Sequence, residues 1–313
     1  MRRMNFLFLF MDGVGLGNND LEHNPLVSTK VPNLEKLLGG KKLVADNVPL
    51  ESERASVIAI DPNLEVEGLP QSATGQGSLV TGKNIPKLVG EHYGPKPNKA
   101  VRVIIEEDNL FSTLTKRGYR SALLNAYPEG FFQAIDSGRR LLSAIPLAVS
   151  SAGIALKTAD DLNAGEAFSV DFTGRGWRDR LGYKDSPIMN GREAGRKLAA
   201  VVESYDLAFF EFWVSDYAGH HQDHEAAKEL LENFDAVLGG LLEVWNDDEG
   251  LILITSDHGN MEDLSSRRHT DNQVPALIIG AKEMRDRFIK DLKDLSGVTP
   301  AILQFYPDRN EAY

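Results

Sequence analysis

Short runs of apolar residues recur along this chain, and most are followed by a polar turn and a segment with helical spacing. The runs lie at residues 6–11, 119–125, 207–214, 251–255 and 274–279. Continuous apolar runs of this length are typical of strands buried on both faces, as in a parallel sheet. Helical spacing is found at residues 31–38, 193–204 and 224–245. The alternation predicts an α/β fold, a three-layer αβα sandwich with a mostly parallel central sheet.

The chain shows no repeat and no flexible linker, so residues 1–313 are interpreted as a single domain. The stretch at residues 128–189 fits the strand–helix rhythm poorly and is richer in Gly and Arg. We interpret this stretch as a small cap insertion.

Composition excludes several classes of function. The chain has 34 Lys plus Arg against 46 Asp plus Glu, a net charge of −12, and no Cys. Nucleic acid and anionic membranes are therefore not expected partners, and thiolate zinc sites and cysteine nucleophiles are excluded. The apolar run near the N-terminus is too short for a signal peptide, and no stretch is long enough to span a bilayer. A cytoplasmic location is expected.

Three of the apolar runs end in an acid. These acids are Asp12, Asp216 and Asp257. His220 and His258 lie close to two of them in sequence, and His269 comes just before the last predicted strand. Ligands bind beyond the carboxyl ends of strands in open α/β sheets, so these side chains are expected to share one site. Carboxylates and neutral imidazoles together suit Zn²⁺ or Mn²⁺.

Each of these pieces also has a structural interpretation. Asp216 and His220 could form a turn and a helix cap, Asp257 could stand in a surface turn, and His269 could be structural. The glycines at positions 13, 15 and 17 suggest a dinucleotide site, but the fingerprint requires a further Gly where Asn18 stands. A nucleotide cofactor is therefore not expected.

A hydroxyl nucleophile is predicted at residues 70–82, which read as a turn entering a short helix. Ser72 would sit at the helix N-terminus, where free N–H groups and the helix dipole favour an alkoxide and bind phosphate. Ser72 could instead be a plain N-cap, and Thr74 is the rival hydroxyl.

These motifs together resemble the alkaline phosphatase superfamily, and most of all its cofactor-independent phosphoglycerate mutase and phosphopentomutase branch. They occur in the order Asp12-Gly13, Ser72-x-x-Gly75, Asp216-x-x-Gly219-His220, Asp257-His258-Gly259-Asn260 and His269-Thr270. The resemblance covers roughly residues 1–125 and 200–280. It implies two divalent cations, Mn²⁺ or Zn²⁺, one held by Asp216, His220 and His269. The other would be held by Asp12, Asp257, His258 and the Ser72 hydroxyl.

Other features resemble the phosphodiesterase branch of this superfamily. There, the nucleophile precedes a Val-Thr-Gly by a fixed interval, and Ser72 stands at that interval before Val80, whereas Thr74 does not. The mutases have His where this chain has Gln76, and the stretch between Ser72 and Asp216 is too short for the large mutase cap. The residues at positions 74 and 76 also differ from the sulfatase pattern.

The resemblance implies in-line attack by Ser72 on phosphorus and a phosphoserine intermediate. The leading hypothesis is a hydrolase of a small anionic phosphate mono- or diester. A phosphomutase acting on a phosphosugar or phosphoglycerate is the alternative, and an inactive metal-binding module is the third. Arg175, Arg178 and Arg180 in the predicted cap suit anion recognition, or form ion pairs within a solvated loop. His92 is a further substrate-binding candidate.

Overall fold

The computed structural model describes residues 4–309, which form a seven-stranded sheet between two layers of helices. The strands are β1 (Asn5–Met11), β2 (Leu50–Glu51), β3 (Ala55–Ile60), β4 (Ser121–Leu123), β5 (Leu207–Phe212), β6 (Gly250–Thr255) and β7 (Val274–Ile279). Their order across the sheet is β2-β3-β7-β6-β1-β5-β4. The pairs β6–β1, β1–β5 and β5–β4 are parallel, whereas β7 is antiparallel to β6 and to β3. The predicted architecture is confirmed.

Two helical layers cover the sheet. The helices are α1 (Pro25–Ser28), α2 (Pro32–Leu37), α3 (Ser72–Thr81), α4 (Ile85–Val89), α5 (Lys99–Glu107), α6 (Leu110–Lys116), α7 (Glu129–Asp136), α8 (Ala144–Ser151), α9 (Ala159–Ala164), α10 (Arg175–Asp179), α11 (Gly191–Val202), α12 (Val214–His221), α13 (His224–Val244), α14 (Lys282–Ile289) and α15 (Val298–Leu303). One layer includes α2, α11 and α13, and the other includes α3, α5, α6, α8 and α15. Short 3-10 turns add Ala45–Asn47 and Leu295–Gly297.

The central strand β1 shows why a continuous apolar run is needed. Phe6, Phe8 and Phe10 point into one core, and the alternating Leu7 and Leu9 point into the other. Each fully buried side chain of this size stabilises the fold by about 1.5–3 kcal/mol. Both faces of β1 are therefore apolar because both are covered by helices.

The structure corrects two strand predictions and adds two further strands. The run at 207–214 ends as a strand at Phe212, and Val214 already begins α12. The run at 119–125 contributes only the short edge strand β4. Strands β2 and β3, which were not predicted, extend the sheet beyond β7.

Residues 128–189 contain α7 to α10. Of these, α8 packs its apolar face into the core against α3 and α5. Trp177 of α10 instead packs in a small separate cluster with Ala126, Leu162 and Ala167. None of the helices in residues 4–309 combines the length and the apolar character that crossing a membrane requires.

Candidate metal centre and nucleophile

The predicted metal ligands follow three adjacent strands of the sheet. Asp12 follows β1, Asp257 and His258 follow β6, and Asp216 comes shortly after β5. Because β6, β1 and β5 are parallel neighbours, their carboxyl ends meet at one edge. His269 precedes β7, which is antiparallel to β6, so the start of β7 reaches the same edge.

The spacing of Asp216 and His220 is explained by α12, which begins almost directly after β5. Residues four apart lie on the same face of a helix. The Nε2 atom of His220 lies 3.2 Å from Oδ2 of Asp216. The helix therefore presents a carboxylate and an imidazole side by side.

Backbone carbonyls orient two of the histidines. Nδ1 of His220 donates to the carbonyl oxygen of Arg267 at 2.8 Å, and Nδ1 of His269 donates to that of Pro70 at 2.7 Å. Because a carbonyl only accepts, the proton of each neutral ring lies on Nδ1 and Nε2 carries the lone pair. This arrangement is typical of metal-binding histidines.

The first candidate centre consists of Asp216, His220 and His269. The two Nε2 atoms of the histidines lie 3.2 Å apart, and that of His269 is 3.7 Å from Oδ1 of Asp216. Burial lowers the pKa of His269 to about 4, and the neighbouring His258 contributes in the same direction. The three side chains thus lie within reach of one another, with His220 next to Oδ2 of Asp216 and His269 next to its Oδ1.

The second candidate centre lies deeper and consists of Asp12, Asp257, His258 and Ser72. Nε2 of His258 is 3.4 Å from Oδ1 of Asp12, 3.5 Å from Oδ2 of Asp257 and 3.1 Å from Oγ of Ser72. The rings of His258 and His269 stack at 3.7 Å, which brings the two centres next to each other. His258 can also join Asp216 and His269 in a three-ligand group.

Buried carboxylates without donors show that this donor set fits a cation. Within residues 4–309, Oδ1 of Asp12 and both carboxylate oxygens of Asp257 accept no hydrogen bond. Burial raises the pKa of Asp12 well above its usual range, with a further rise from Asp257 and Asp216, and burial also raises the pKa of Asp257. Two such groups are unfavourable together unless a positive charge compensates them.

The two candidate hydroxyls have different surroundings. Ser72 is the first residue of α3, and its Oγ faces His258. Thr74 is fully buried, and its hydroxyl bonds the backbone of Gln71 and Tyr93. The geometry brings only Ser72 to the ligands.

Gln76 lies on the same helix, at the position where the resembling mutases have His. Its Nε2 donates to Oδ2 of Asp12 at 3.3 Å. This side chain therefore orients the carboxylate of a predicted ligand.

A cavity of about 480 Å³ opens beside Ser72. It is lined by Leu69, Gln71, Ser72, Pro95, Asp216, His220, Arg267, Arg268 and His269. Arg267 and Arg268 are exposed, and they were not among the predicted substrate-binding residues. Their position directly before the predicted ligand His269 could have indicated that they lie near the site.

The other predicted substrate-binding residues are not among those lining this cavity. Nε2 of His92 bonds the carbonyl oxygen of Val66, and Nε of Arg178 bonds that of Ser186. Arg175 and Arg180 are exposed on or beside α10. Their predicted role in substrate binding stays a prediction.

The carboxylates and imidazoles that cluster at one edge of this α/β sheet form a candidate metal-binding site. The sequence model of the Metalloenzyme superfamily matches residues 180–306. A 2,3-bisphosphoglycerate-independent phosphoglycerate mutase from Shewanella frigidimarina is 35% identical over 130 residues, 39% of this chain and 25% of the relative. The corresponding mutase from Desulforudis audaxviator is 33% identical over 127 residues. The chain thus matches about a quarter of the length of these curated relatives.

Solved structures share the fold over nearly the whole chain. PH0037 from Pyrococcus horikoshii has a TM-score of 0.57 at 16% identity and covers 98% of this chain and 97% of its own. Alkaline phosphatase from the Antarctic bacterium TAB5 has a TM-score of 0.52 at 11% identity and covers 97% and 98%. The matched model, the relatives and the shared fold agree with the resemblance to the alkaline phosphatase superfamily that the motifs predicted.

Proposed function

We propose that this protein transfers the phosphoryl group of a small phosphate ester through Ser72, and that water is the final acceptor. The observation that carries the proposal is the position of the Ser72 hydroxyl. It lies 3.1 Å from His258 and lines the cavity that Asp216, His220 and His269 also line. A nucleophile, two groups of metal donors and space for a substrate thus lie together.

Two divalent cations are assigned to the two donor groups. Asp216, His220 and His269 would hold one. The second group consists of Asp12, Asp257, His258 and the Ser72 hydroxyl. When bound, such cations lower the pKa of a coordinated hydroxyl and neutralise charge on a transferring phosphoryl group. The donor chemistry suits Mn²⁺ or Zn²⁺.

The reaction proposed for Ser72 has two steps. Oγ forms a bond to phosphorus while the ester P–O bond breaks, the hydroxyl proton passes to solvent, and the departing alkoxide takes a proton from water. Water then attacks the phosphoserine, the Oγ–P bond breaks, and inorganic phosphate leaves while Ser72 regains its proton. The N-terminal end of α3 favours the negative charge on the phosphoryl oxygens in both steps.

The substrate is proposed to be a small anionic ester. The cavity volume of about 480 Å³ fits a small molecule, and Arg267 and Arg268 lie at its wall. These guanidinium groups give a protein of net charge −12 a local cationic surface for an anion. Residues 128–189 are proposed as a cap that limits access, within a single domain.

A phosphomutase is the second candidate, because the curated relatives are phosphoglycerate mutases. In that reaction, Ser72 would return the phosphoryl group to another hydroxyl of a retained substrate. A mutase must shield its phosphoenzyme from water. The stretch between Ser72 and Asp216 contains α4 to α11 and the strands β4 and β5, and this short stretch favours the hydrolase.

The test is an assay of purified protein with Mn²⁺ or Zn²⁺ against a panel of phosphate mono- and diesters that includes 3-phosphoglycerate. Release of inorganic phosphate that depends on Ser72 is expected. Formation of 2-phosphoglycerate without phosphate release would replace the hydrolase with the mutase. Bound metal without turnover of any ester would favour the inactive module.

A further inference from the structure

Glu262 is a buried carboxylate that takes no part in the proposed chemistry. It is 2% exposed and lies in the loop that follows β6. Its Oε2 accepts hydrogen bonds from the backbone N–H groups of Gly15 at 2.9 Å and Asn260 at 2.8 Å. Its Oε1 accepts from the hydroxyl of Thr270 and from Nδ2 of Asn272 at 3.0 Å. Both oxygens therefore have two donors each.

Hydrogen-bond donors occupy both carboxylate oxygens of Glu262, so this residue is not available as a metal ligand. A carboxylate offers about four lone-pair positions, and all four are used here. The same carboxylate is held by N–H and O–H groups rather than by a lysine or arginine. Glu262 thus differs from Asp12 and Asp257, whose oxygens include three without a hydrogen bond among residues 4–309.

The partners of Glu262 belong to three of the chain segments that carry the proposed ligands. Gly15 lies three residues after Asp12, Asn260 lies two after His258, and Thr270 directly follows His269. Gly15 follows β1, whereas Asn260 and Thr270 lie at the two ends of the connection between β6 and β7, so the relative positions of these segments depend on contacts. The Glu262 carboxylate joins all three through direct hydrogen bonds.

One of these contacts extends to the remaining ligand helix. Asn260, whose N–H bonds Glu262, donates from Nδ2 to Oδ1 of Asp216 at 2.7 Å. Glu262 is therefore connected to α12 as well, through the single residue Asn260. Every segment that carries a proposed ligand, apart from that of Ser72, is connected to this one carboxylate.

The glycines that follow β1 reflect the same arrangement. A Cβ on Gly15 or Gly259 would overlap Oε1 of Glu262, and a Cβ on Gly17 would lie 2.9 Å from its Cγ. The glycines at 15 and 17 thus admit a carboxylate from the neighbouring loop. This gives a physical role to a motif that resembled part of a nucleotide-binding fingerprint.

We propose that Glu262 is a positioning residue that sets the separation of the ligand loops and thereby the metal affinity of both centres. The inference rests on the proposed two-metal function and deepens it. Partners that orient ligands in this way typically contribute 10–100-fold to metal affinity. Glu262→Ala should therefore raise the Kd for Mn²⁺ by about tenfold or more.

The matched control is Asp235, another buried carboxylate that accepts backbone N–H groups. It bonds the N–H groups of Asn33 and Leu34 and joins α13 to α2, away from the ligand loops. Asp235→Ala should lower the unfolding temperature and leave the Kd for Mn²⁺ within about twofold of the wild type. A purely structural role for Glu262 would give the same result as this control.

Two conservative variants keep the test decisive if Glu262→Ala fails to fold. Glu262→Gln retains an oxygen for the N–H groups of Gly15 and Asn260, while Thr270 and Asn272 can turn to accept from its amide. Glu262→Asp keeps the charge but is too short to reach all four donors. We expect the Gln variant to bind Mn²⁺ within about threefold of the wild type, and the Asp variant about tenfold more weakly.

The experiment titrates Mn²⁺ into metal-free protein by calorimetry and records the electron paramagnetic resonance spectrum at saturation. Weakened binding and an altered spectrum in Glu262→Asp, with both unchanged in Asp235→Ala, would support the inference. Wild-type affinity in both Glu262→Ala and Glu262→Asp would overturn it, as would a Gln variant weaker than the Asp variant. A wild-type protein that binds no Mn²⁺ would overturn the proposed function and this inference together.

Discussion

The ligand loops at the carboxyl edge of the sheet and the arginine-rich segment at residues 171–184 are both dense in charged side chains. They differ in how those charges are held. Asp257 and His258 are fully buried, and the Asp257 oxygens accept no hydrogen bond among residues 4–309. In the arginine-rich segment, the Asp171 carboxylate accepts from Ser169, from Thr173 and from the N–H of Gly176.

The presence or absence of hydrogen-bond donors to a buried carboxylate distinguishes a structural turn from a candidate binding site. Burial of a charge without a partner is costly, so it persists where an external ion or substrate compensates it. Asp171 needs no such compensation because its own segment supplies the donors, and Arg178 likewise bonds the carbonyl of Ser186. If this distinction holds, substitutions near the buried carboxylates without donors should impair function more than substitutions in the arginine-rich segment.

The largest effect is expected from Ser72→Ala, which removes the proposed nucleophile at the ligand edge. Turnover should fall by about 10³-fold or more, because no other hydroxyl bonds the imidazole ring of His258 in the described part of the chain. Metal content should stay near that of the wild type, since the aspartates and histidines remain. Steady-state phosphate release and elemental analysis measure the two quantities.

Ser78→Ala on the same helix is the control for Ser72→Ala. The Ser78 hydroxyl is buried and donates to the carbonyl of Thr74, so its loss should affect stability but not chemistry. Full activity in Ser72→Ala would remove this residue from the mechanism. Thr74 would then be the nucleophile to test.

The next effect concerns Glu211 on β5, which is buried close to the ligand edge. Burial raises its pKa to about 7, although the charge of Lys96 partly offsets this rise. The folded protein therefore holds a proton on Glu211 that the unfolded chain releases above pH 4.5. Its contribution to stability is complete below pH 4.5 and is lost as the pH rises to about 7.

Glu211→Gln should abolish this pH dependence in metal-free protein. Relative to the wild type, the variant should gain up to about 3 kcal/mol of unfolding free energy between pH 4.5 and pH 8, measured by urea denaturation. Glu225→Gln, an exposed position on α13, should give a curve parallel to that of the wild type. A parallel curve for Glu211→Gln would show that this buried acid is already compensated within the chain.

The central strands could be predicted from the sequence because a continuous apolar run is a local feature of the chain. In β1, β6 and β7, continuous apolar runs match the observed strands within a residue or so. The antiparallel direction of β7 was not predictable, since hydrophobicity carries no information on strand direction. The missed strand β3 has an apolar run of only four residues, at 57–60 after Ser56, so its sequence signal was shorter than that of the central strands.

The candidate site was predictable only in part, for the same reason. The ligands lie at strand ends, where sequence pattern and topology together indicate convergence. The exact end of β5 was wrong because the apolar run continues through Trp213 and Val214 into α12. Glu262 could not be predicted, since its role depends on contacts between the loop after β1 and both ends of the β6–β7 connection, which form only in the folded chain.

A smaller effect is expected from His269→Ala, which removes one ligand from the centre nearer the cavity. Metal affinity of that centre should fall about 10–100-fold, so metal content should approach one ion per chain at micromolar free Mn²⁺. Elemental analysis after gel filtration measures it. His224→Ala, at an exposed position, should retain the wild-type content. Unchanged content in His269→Ala would show that the carboxyl edge binds metal without this ring.

The smallest effect is expected on KM, when the two pairs of arginines are each replaced and compared directly. Arg267 and Arg268 line the cavity, so replacing both with Ala should raise KM about tenfold with little change in kcat. Arg175 and Arg180 are exposed and do not line it, so the matched double variant should change KM by less than about twofold. Initial rates over a range of substrate concentrations measure both. The reverse result would assign anion recognition to the arginine-rich segment, which requires that segment to close over the cavity when substrate binds.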